Sequence, residues 1–148
     1  MNITRLSFFA AAIGVVLSAG VAQGDPARAA FPVPKIGYTA PQAARGKLAY
    51  LRTCGRCHGG DLVGTSEIPT LQGRFVEHWS GGSLNEVVDY IRTAMPIDKP
   101  GSMDQKMTVE IMAYLLQSNG FPAGDVELPT DPAALAKIRL MPMPAGQR

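Results

Sequence analysis

Cysteine and histidine are scarce in this chain, which limits the kinds of metal site it can form. The 148 residues contain two cysteines and two histidines, whereas a structural zinc site needs four ligands in tetrahedral geometry. Because His58 directly follows Cys57, these two side chains are poorly placed to share one ion. Zinc binding is therefore the weaker interpretation of the cysteines and histidines.

Long apolar runs and dense runs of positive charge are also missing. The N-terminal apolar stretch, residues 6–17, is shorter than the roughly 18 to 20 residues that a membrane-spanning helix prefers. Basic residues are neither densely clustered nor interleaved with aromatic residues, so nucleic acid is not indicated as a partner. The formal net charge of +2 implies no strong electrostatic steering.

The first 22 residues have the three regions of a secretory signal peptide. A single early charge at Arg5 precedes the apolar stretch, and small residues continue to Ala22. We expect cleavage near Ala22 and export of the mature protein, with an uncleaved membrane anchor as the alternative. Prolines and small residues follow without an apolar period, so residues 23–38 are predicted to be a flexible arm.

The rest of the chain is predicted to be all-α. Three segments are predicted to be helices. Thr39-Ala-Pro-Gln42 and Ser83-Leu-Asn-Glu86 resemble capping boxes before the first two, and Asn119-Gly120 is expected to cap the end of the third. Apolar residues recur at helical spacing in the second and third. The three segments are residues 40–53, 84–94 and 104–118. Neither internal repeats nor strand patterns are found in the sequence.

The segments between these helices are predicted to be irregular. Residues 58–79 contain too many glycines, with a proline among them, for regular structure. We expect one domain over residues 39–128 and a C-terminal extension over residues 129–148. Within the extension, Asp131 is predicted to cap a short helix that reaches about Ile138.

The strongest chemical signal is Cys54-Gly55-Arg56-Cys57-His58, a C-x-x-C-H motif typical of covalent c-type haem attachment. Two thiols one turn apart can each add across a vinyl group of the porphyrin, and His58 can supply an imidazole to the iron. A thiol–disulfide redox motif is the alternative, but it would follow a strand, whereas a helix is predicted before Cys54. Because haem is attached to such motifs outside the bacterial cytoplasm, we expect a periplasmic protein.

An interior glycine marks the helix that leads into this motif. Gly46 and Tyr50 precede Cys54 at intervals of four and therefore share one helix face. Glycine inside a helix costs about 0.5 to 1 kcal/mol relative to alanine. Gly46 therefore indicates either close approach by another helix or a tolerated exposed position.

Taken together, these residues resemble a monohaem class I cytochrome c over residues 39–128. Residues 119–124 are similar to the cytochromes that accept electrons from periplasmic quinoprotein dehydrogenases. The implied fold is a small cytochrome c-like helical bundle around one haem. The resemblance rests on Gly46-x-x-x-Tyr50-x-x-x-Cys54-x-x-Cys57-His58-Gly59, Leu62-x-Gly64, Pro69-x-Leu71-x-Gly73, Trp79, Tyr90-Ile91-Arg92, Met95-Pro96, Pro100-Gly101-Ser102 and Ala113-Tyr114-Leu115.

The resemblance also implies roles for single residues around the haem. The carbonyl of Pro69 would accept a hydrogen bond from Nδ1 of His58, which fixes the tautomer of the ring and raises its basicity. Leu71 and Trp79 would line the haem pocket, where the indole N–H could reach a propionate. The face of Gly46 and Tyr50 would meet the C-terminal helix near Tyr114.

The sixth iron ligand implied by the resemblance is Met95, on which the Met-Pro pattern of the family falls. A thioether ligand raises the reduction potential. Met103 lies in the same segment and is the chief rival, and His78 would give a bis-histidine site if it is not an exposed loop residue. Met107 and Met112 fit helical spacing and are expected to fill the core.

We therefore expect an exported electron carrier, not an enzyme, that takes single electrons from a periplasmic dehydrogenase and passes them to an oxidase or another cytochrome. The alternatives are a permanent cytochrome subunit of a dehydrogenase complex, a haem enzyme or sensor with an open sixth position, and a thiol–disulfide module without haem. Five basic residues near the motif are expected to form a solvated face, or alternatively a docking surface for an acidic partner: Arg45, Lys47, Arg52, Arg56 and Arg74.

Overall fold

A computed structural model describes residues 36–141 of the chain. The predicted signal peptide and most of the predicted arm lie outside these residues. Within the described range the protein is helical, and its one strand-like feature is an isolated bridge between Ser83 and Arg139. The all-α prediction is confirmed. The helices are α1 Ala40–Thr53, α2 Gly55–His58, α3 Arg74–His78, α4 Leu84–Ala94, α5 Gln105–Ser118 and α6 Pro132–Leu135.

The two longest helices, α1 and α5, form the central crossing of the fold. A Cβ atom at Gly46 would lie 1.8 Å from the carbonyl oxygen of Glu110, so the helix backbones touch where α1 has no side chain. One turn further along α1, the rings of Tyr50 and Tyr114 lie 5.3 Å apart between centroids. The interior glycine therefore marks a close approach of two helices and not a tolerated exposed position.

Side-chain caps start the three long helices within one residue of the predicted starts; the cap at Asp104 was not predicted. Thr39 accepts a hydrogen bond from the backbone N–H of Gln42, and Asp104 accepts one from that of Met107. At α4 the capping box is complete, because Ser83 and Glu86 each satisfy the other's backbone N–H. These local bonds fix where each helix begins.

Gln42 has a different function from the one that the capping-box pattern predicts. Its side chain does not return to Thr39 but bonds both backbone groups of Leu128, accepting from N–H at 2.8 Å and donating to C=O at 3.1 Å. This buried amide ties the start of α1 to the far end of the predicted domain. The contact spans 86 residues, so local sequence could not predict it.

The prediction that residues 58–79 have no regular structure is wrong for α3. This helix of five residues buries Val76 and packs Phe75 against the core, which stabilises a turn that local composition does not favour. Conversely, α6 ends at Leu135 and not near Ile138. The chain turns at residues 136–137, and the carbonyl of Ile138 accepts a hydrogen bond from the backbone N–H of Leu84.

Both ends of the described range pack onto the helices. Ile36 and Tyr38, in the last part of the predicted arm, are buried, and the hydroxyl of Tyr38 donates to the carbonyl of Phe121 at 2.5 Å. In the C-terminal extension, Leu135 and Leu140 are fully buried. None of the helices in residues 36–141 has the length and apolar character needed to span a bilayer.

Candidate haem site

The end of α1 delivers both thiols and the histidine on one compact turn. Cys54 caps α1, and its carbonyl accepts hydrogen bonds from the backbone N–H groups of Cys57 at 3.1 Å and His58 at 2.9 Å. The two cysteines are not joined by a disulfide; Cys54 is partly buried and Cys57 is exposed. Burial raises the pKa of the Cys54 thiol. Both sulfurs thus belong to the same turn of the chain.

The ring of His58 is oriented by the loop that follows it. Its Nδ1 lies 2.9 Å from the carbonyl oxygen of Pro69. A carbonyl oxygen only accepts, so Nδ1 carries the proton and Nε2 of the neutral ring keeps its lone pair. This is the contact that the resemblance implies, and it leaves Nε2 as the nitrogen that can bind a metal.

Two further contacts hold the backbone around His58. The hydroxyl of Tyr50 donates to the carbonyl of Gly59 at 2.6 Å, and burial raises the pKa of Tyr50, so the donor stays protonated. Gly64 has φ +75°, and a Cβ atom there would lie 2.2 Å from the carbonyl oxygen of Ile68. The loop can close this tightly only with glycine at position 64.

Both candidate sulfur ligands lie in the connection between α4 and α5. Met95 ends α4 in extended conformation, precedes a cis peptide bond to Pro96, and is partly buried against the core. Met103 has only 4% of its surface exposed and belongs to the buried core. A ligand must reach an atom outside the polypeptide, so the incomplete burial of Met95 favours it over Met103.

The predicted pocket residues Leu71 and Trp79 are both partly buried and pack against the core. The Trp79 ring contacts Tyr90, with centroids 5.4 Å apart, and His78 meets its edge at 5.2 Å. Sequence reasoning used Tyr90 only as part of a family pattern. The sequence does not show that Tyr90, in α4, lies beside Trp79, because that contact depends on how α3 packs.

An ion pair that sequence reasoning missed joins the attachment turn to the methionine segment. Arg56 Nη2 lies 2.5 Å from Asp98 Oδ2. This hydrogen bond lowers the pKa of the Asp98 carboxyl. Arg56 stands between the two cysteines and Asp98 stands three residues after Met95, so the pair spans the two segments that would supply the iron ligands. Nothing in the sequence links positions 42 residues apart.

The basic residues near the motif are only partly free to attract a partner. Arg45 bonds Glu110 at 2.8 Å and Glu127 at 2.7 Å, and Arg56 bonds Asp98. The pKa of Glu127 is lowered, first by the hydrogen bond from Arg45. This pairing fits the expected solvated face better than a strongly positive docking surface.

The donor set of this region fits a haem. Two unpaired thiols lie on one turn, the adjacent imidazole presents Nε2, and a partly buried thioether lies on a separate segment. Among residues 36–141, no three His, Cys, Asp or Glu side chains are grouped so as to hold a metal ion by themselves. These residues are therefore of the chemical types that a covalently attached haem needs.

Comparisons with known proteins find two similar chains. A relative from Stutzerimonas stutzeri (strain A1501), a thiosulfate dehydrogenase, is 31% identical in an alignment 110 positions long that covers 67% of this chain and 35% of the relative. The chain thus spans about a third of that relative's length. The structure of the sulfane dehydrogenase SoxCD from Paracoccus pantotrophus aligns with a TM-score of 0.47 and 19% identity, covering 83% of this chain and 68% of that one.

A family profile decides the assignment. The profile described as Cytochrome C oxidase, cbb3-type, subunit III matches residues 41–115, just over half of the 148 residues. The matched range includes α1, the C-x-x-C-H turn, both candidate methionines and most of α5. The family implies haem binding and a role in electron transfer. The chain belongs to this cytochrome c family and is a monohaem c-type cytochrome.

Proposed function

We propose that this protein carries single electrons on one haem that is attached covalently through Cys54 and Cys57 and ligated by His58 and Met95. The observation that carries the proposal is the 2.9 Å contact between Nδ1 of His58 and the carbonyl of Pro69, directly after two thiols on one turn. It leaves Nε2 of His58 available where an attached porphyrin would need it.

The haem, when bound, supplies an iron that alternates between the ferric and ferrous states. Residues of the chain would set the reduction potential of this iron and limit access to it. Pro69 keeps His58 in one tautomer and raises its basicity. Met95 would supply a thioether to the iron, which would favour the ferrous state and exclude oxygen and small substrates. Such a site would be suited to carry electrons and not to transform a substrate.

The partners that we propose are redox proteins of the periplasm. A periplasmic dehydrogenase would be the donor, and an oxidase or another cytochrome the acceptor. Two observations support this proposal: the relative from Stutzerimonas stutzeri is named a thiosulfate dehydrogenase, and residues 119–124 resemble cytochromes that serve quinoprotein dehydrogenases. A permanent subunit of such a dehydrogenase would use the same site.

The intact mass of the exported protein tests covalent attachment. Expression with the haem-attachment machinery should give the mass of the processed chain plus one haem. Replacement of both Cys54 and Cys57 by serine should abolish that increment. A wild-type protein with the bare mass of the chain would overturn the proposal.

Optical spectra test the sixth ligand. The ferric protein should show the weak far-red band of a sulfur–iron bond, and Met95→Ala should lose it while the matched variant Met103→Ala keeps it. Carbon monoxide should change the spectrum of reduced Met95→Ala rapidly and that of wild type little. A band lost only in Met103→Ala would transfer the ligand role to Met103. Rapid carbon monoxide binding by wild type would instead indicate an open sixth position.

A further inference from the structure

The side chain of Asn119 makes three hydrogen bonds, two of which reach the loop that carries the Pro69 carbonyl. Its Nδ2 donates to the carbonyl of Leu71 at 2.9 Å and to that of Leu115 at 2.8 Å. Its Oδ1 accepts from the backbone N–H of Gly73 at 2.8 Å. Both donor hydrogens and the carbonyl oxygen are thus used, which fixes the orientation of the amide.

The position of Asn119 makes these bonds a tie between two parts of the fold. Asn119 caps α5, and its own backbone N–H bonds the carbonyl of Leu115 at 3.0 Å. Helix α5 is held in turn by the close crossing at Gly46. The loop is therefore fastened to the helix whose backbone touches α1 at Gly46.

Two other side-chain hydrogen bonds act within the loop itself. Thr70 Oγ1 donates to the carbonyl of Leu62 at 3.1 Å, and Gln72 Nε2 donates to that of Asp61 at 2.6 Å. These bonds keep the shape of the loop, but they do not fix its distance from α5. The two loop bonds of Asn119 do so, over separations of 48 and 46 residues.

Only Thr70 separates Pro69 from the first residue that Asn119 holds. We propose that Asn119 is a positioning residue for the haem ligand: by holding Leu71 and Gly73 it keeps the Pro69 carbonyl on Nδ1 of His58. This inference rests on the proposed function, because it concerns an imidazole that binds iron. The side chain of Asn119 bonds Leu71, Gly73 and Leu115 and not His58, so it acts on the imidazole through the loop.

The rate at which the Nδ1 proton of His58 exchanges with water measures how firmly the Pro69 carbonyl is held. This exchange can be followed by NMR in the ferrous protein, which is diamagnetic when the iron has both axial ligands. Asn119→Asp keeps the size of the side chain but replaces both donor hydrogens with an oxygen that faces two carbonyls. We expect Nδ1–H exchange to accelerate about tenfold, because two hydrogen bonds are lost. The reduction potential should rise, since a looser acceptor leaves the imidazole less basic.

Gln42 provides a matched control. Like Asn119 it is an amide with two hydrogen bonds to a distant segment, but that segment is Leu128, away from the loop. Gln42→Met should destabilise the fold while leaving the Nδ1–H exchange and the potential as in wild type. If Asn119→Asp accumulates poorly, Asn119→Ser removes all three amide hydrogen bonds without adding a negative charge and should show the same two changes.

The outcomes separate the inference from the proposed function. The positioning role would be overturned if the Asn119 variants exchanged the Nδ1 proton at the wild-type rate. It would also be overturned if Gln42→Met, at an equal loss of stability, accelerated the exchange equally. Neither outcome would contradict a wild-type haem spectrum. A wild-type protein without a Soret band would overturn the proposed function and this inference with it. Faster exchange and a raised potential in the Asn119 variants alone would support the role.

Discussion

Replacing Gly46 with alanine should disrupt the crossing of α1 and α5. The new Cβ would meet the carbonyl oxygen of Glu110 at 1.8 Å and the carbonyl carbon at 2.4 Å, whereas real Cβ contacts under 3.0 Å essentially never occur. The helices would have to separate by at least about 1.2 Å, the difference between these limits. Because both obstructing atoms belong to the backbone, no side-chain rotation can relieve the contact.

The expected cost follows from two opposing effects. Alanine gains about 1 kcal/mol over glycine in helix propensity, while overpacking of a well-packed core costs about 1 to 3 kcal/mol and occasionally more. The clash at Gly46 lies at the upper end of that range, since α1 and α5 must move as units. We expect a net loss of about 2 kcal/mol, which lowers the melting temperature by about 10 °C in a domain of this size.

Thermal and denaturant unfolding of the holoprotein measure this effect. Two control variants separate the steric clash from the change in helix propensity. Gly60→Ala adds a methyl group whose nearest neighbour is a side-chain carbon at 3.7 Å, so it should change stability little. Ala44→Gly, at an exposed position of α1, measures the helix propensity alone. A Gly46→Ala protein as stable as wild type would refute the close approach of the helices.

Three further changes test contacts that join distant segments. Asp98→Asn removes the partner of Arg56 and should let imidazole displace the sixth ligand of the ferric iron a few-fold more readily, whereas Asp89→Asn, which breaks an exposed pair within α4, should not. Because Arg56 lowers the pKa of Asp98, the stabilising contribution of this pair is fully present above the unfolded-state pKa of the carboxyl and is lost as the pH falls through its folded-state pKa. The difference between wild type and Asp98→Asn should therefore vanish at low pH, and also in high salt. Ser83→Ala should cost about 1 kcal/mol through loss of the α4 cap, as measured by denaturant unfolding. Leu140→Ala, at a fully buried position, should cost about 2 to 5 kcal/mol by the same measurement; a cost near zero would show that the extension is not part of the core.

The parts of the fold that the sequence predicted are those that depend on neighbours along the chain. Thr39 and Ser83 start helices through bonds to residues three positions on. Such bonds form within one turn, so residue type and spacing suffice to anticipate them. The C-x-x-C-H turn is local in the same sense, which is why the candidate attachment residues could be named from sequence.

Contacts between distant segments were not predictable in this way. Helix α3 is stabilised by burial of Val76, and the extension pairs with the segment before α4 when Leu140 donates to the carbonyl of Gly82 at 3.0 Å. Gln42 matched a capping box by residue type, yet its side chain bonds Leu128. Residue type alone does not say which of two available partners a side chain takes, because tertiary packing decides it.

The proposed haem site combines both kinds of contact, and they contribute differently. The identity of the ligand atoms is local, since the thiols and His58 are adjacent in sequence. The placement of those atoms depends on contacts over long separations: Asn119 holds the loop of Pro69, and Arg56 reaches Asp98 beside the methionine segment. A protein with the same motif but without these ties would still be expected to attach a haem. It would differ in the reduction potential and in how readily the sixth ligand leaves, because those properties depend on how firmly the ligands are held.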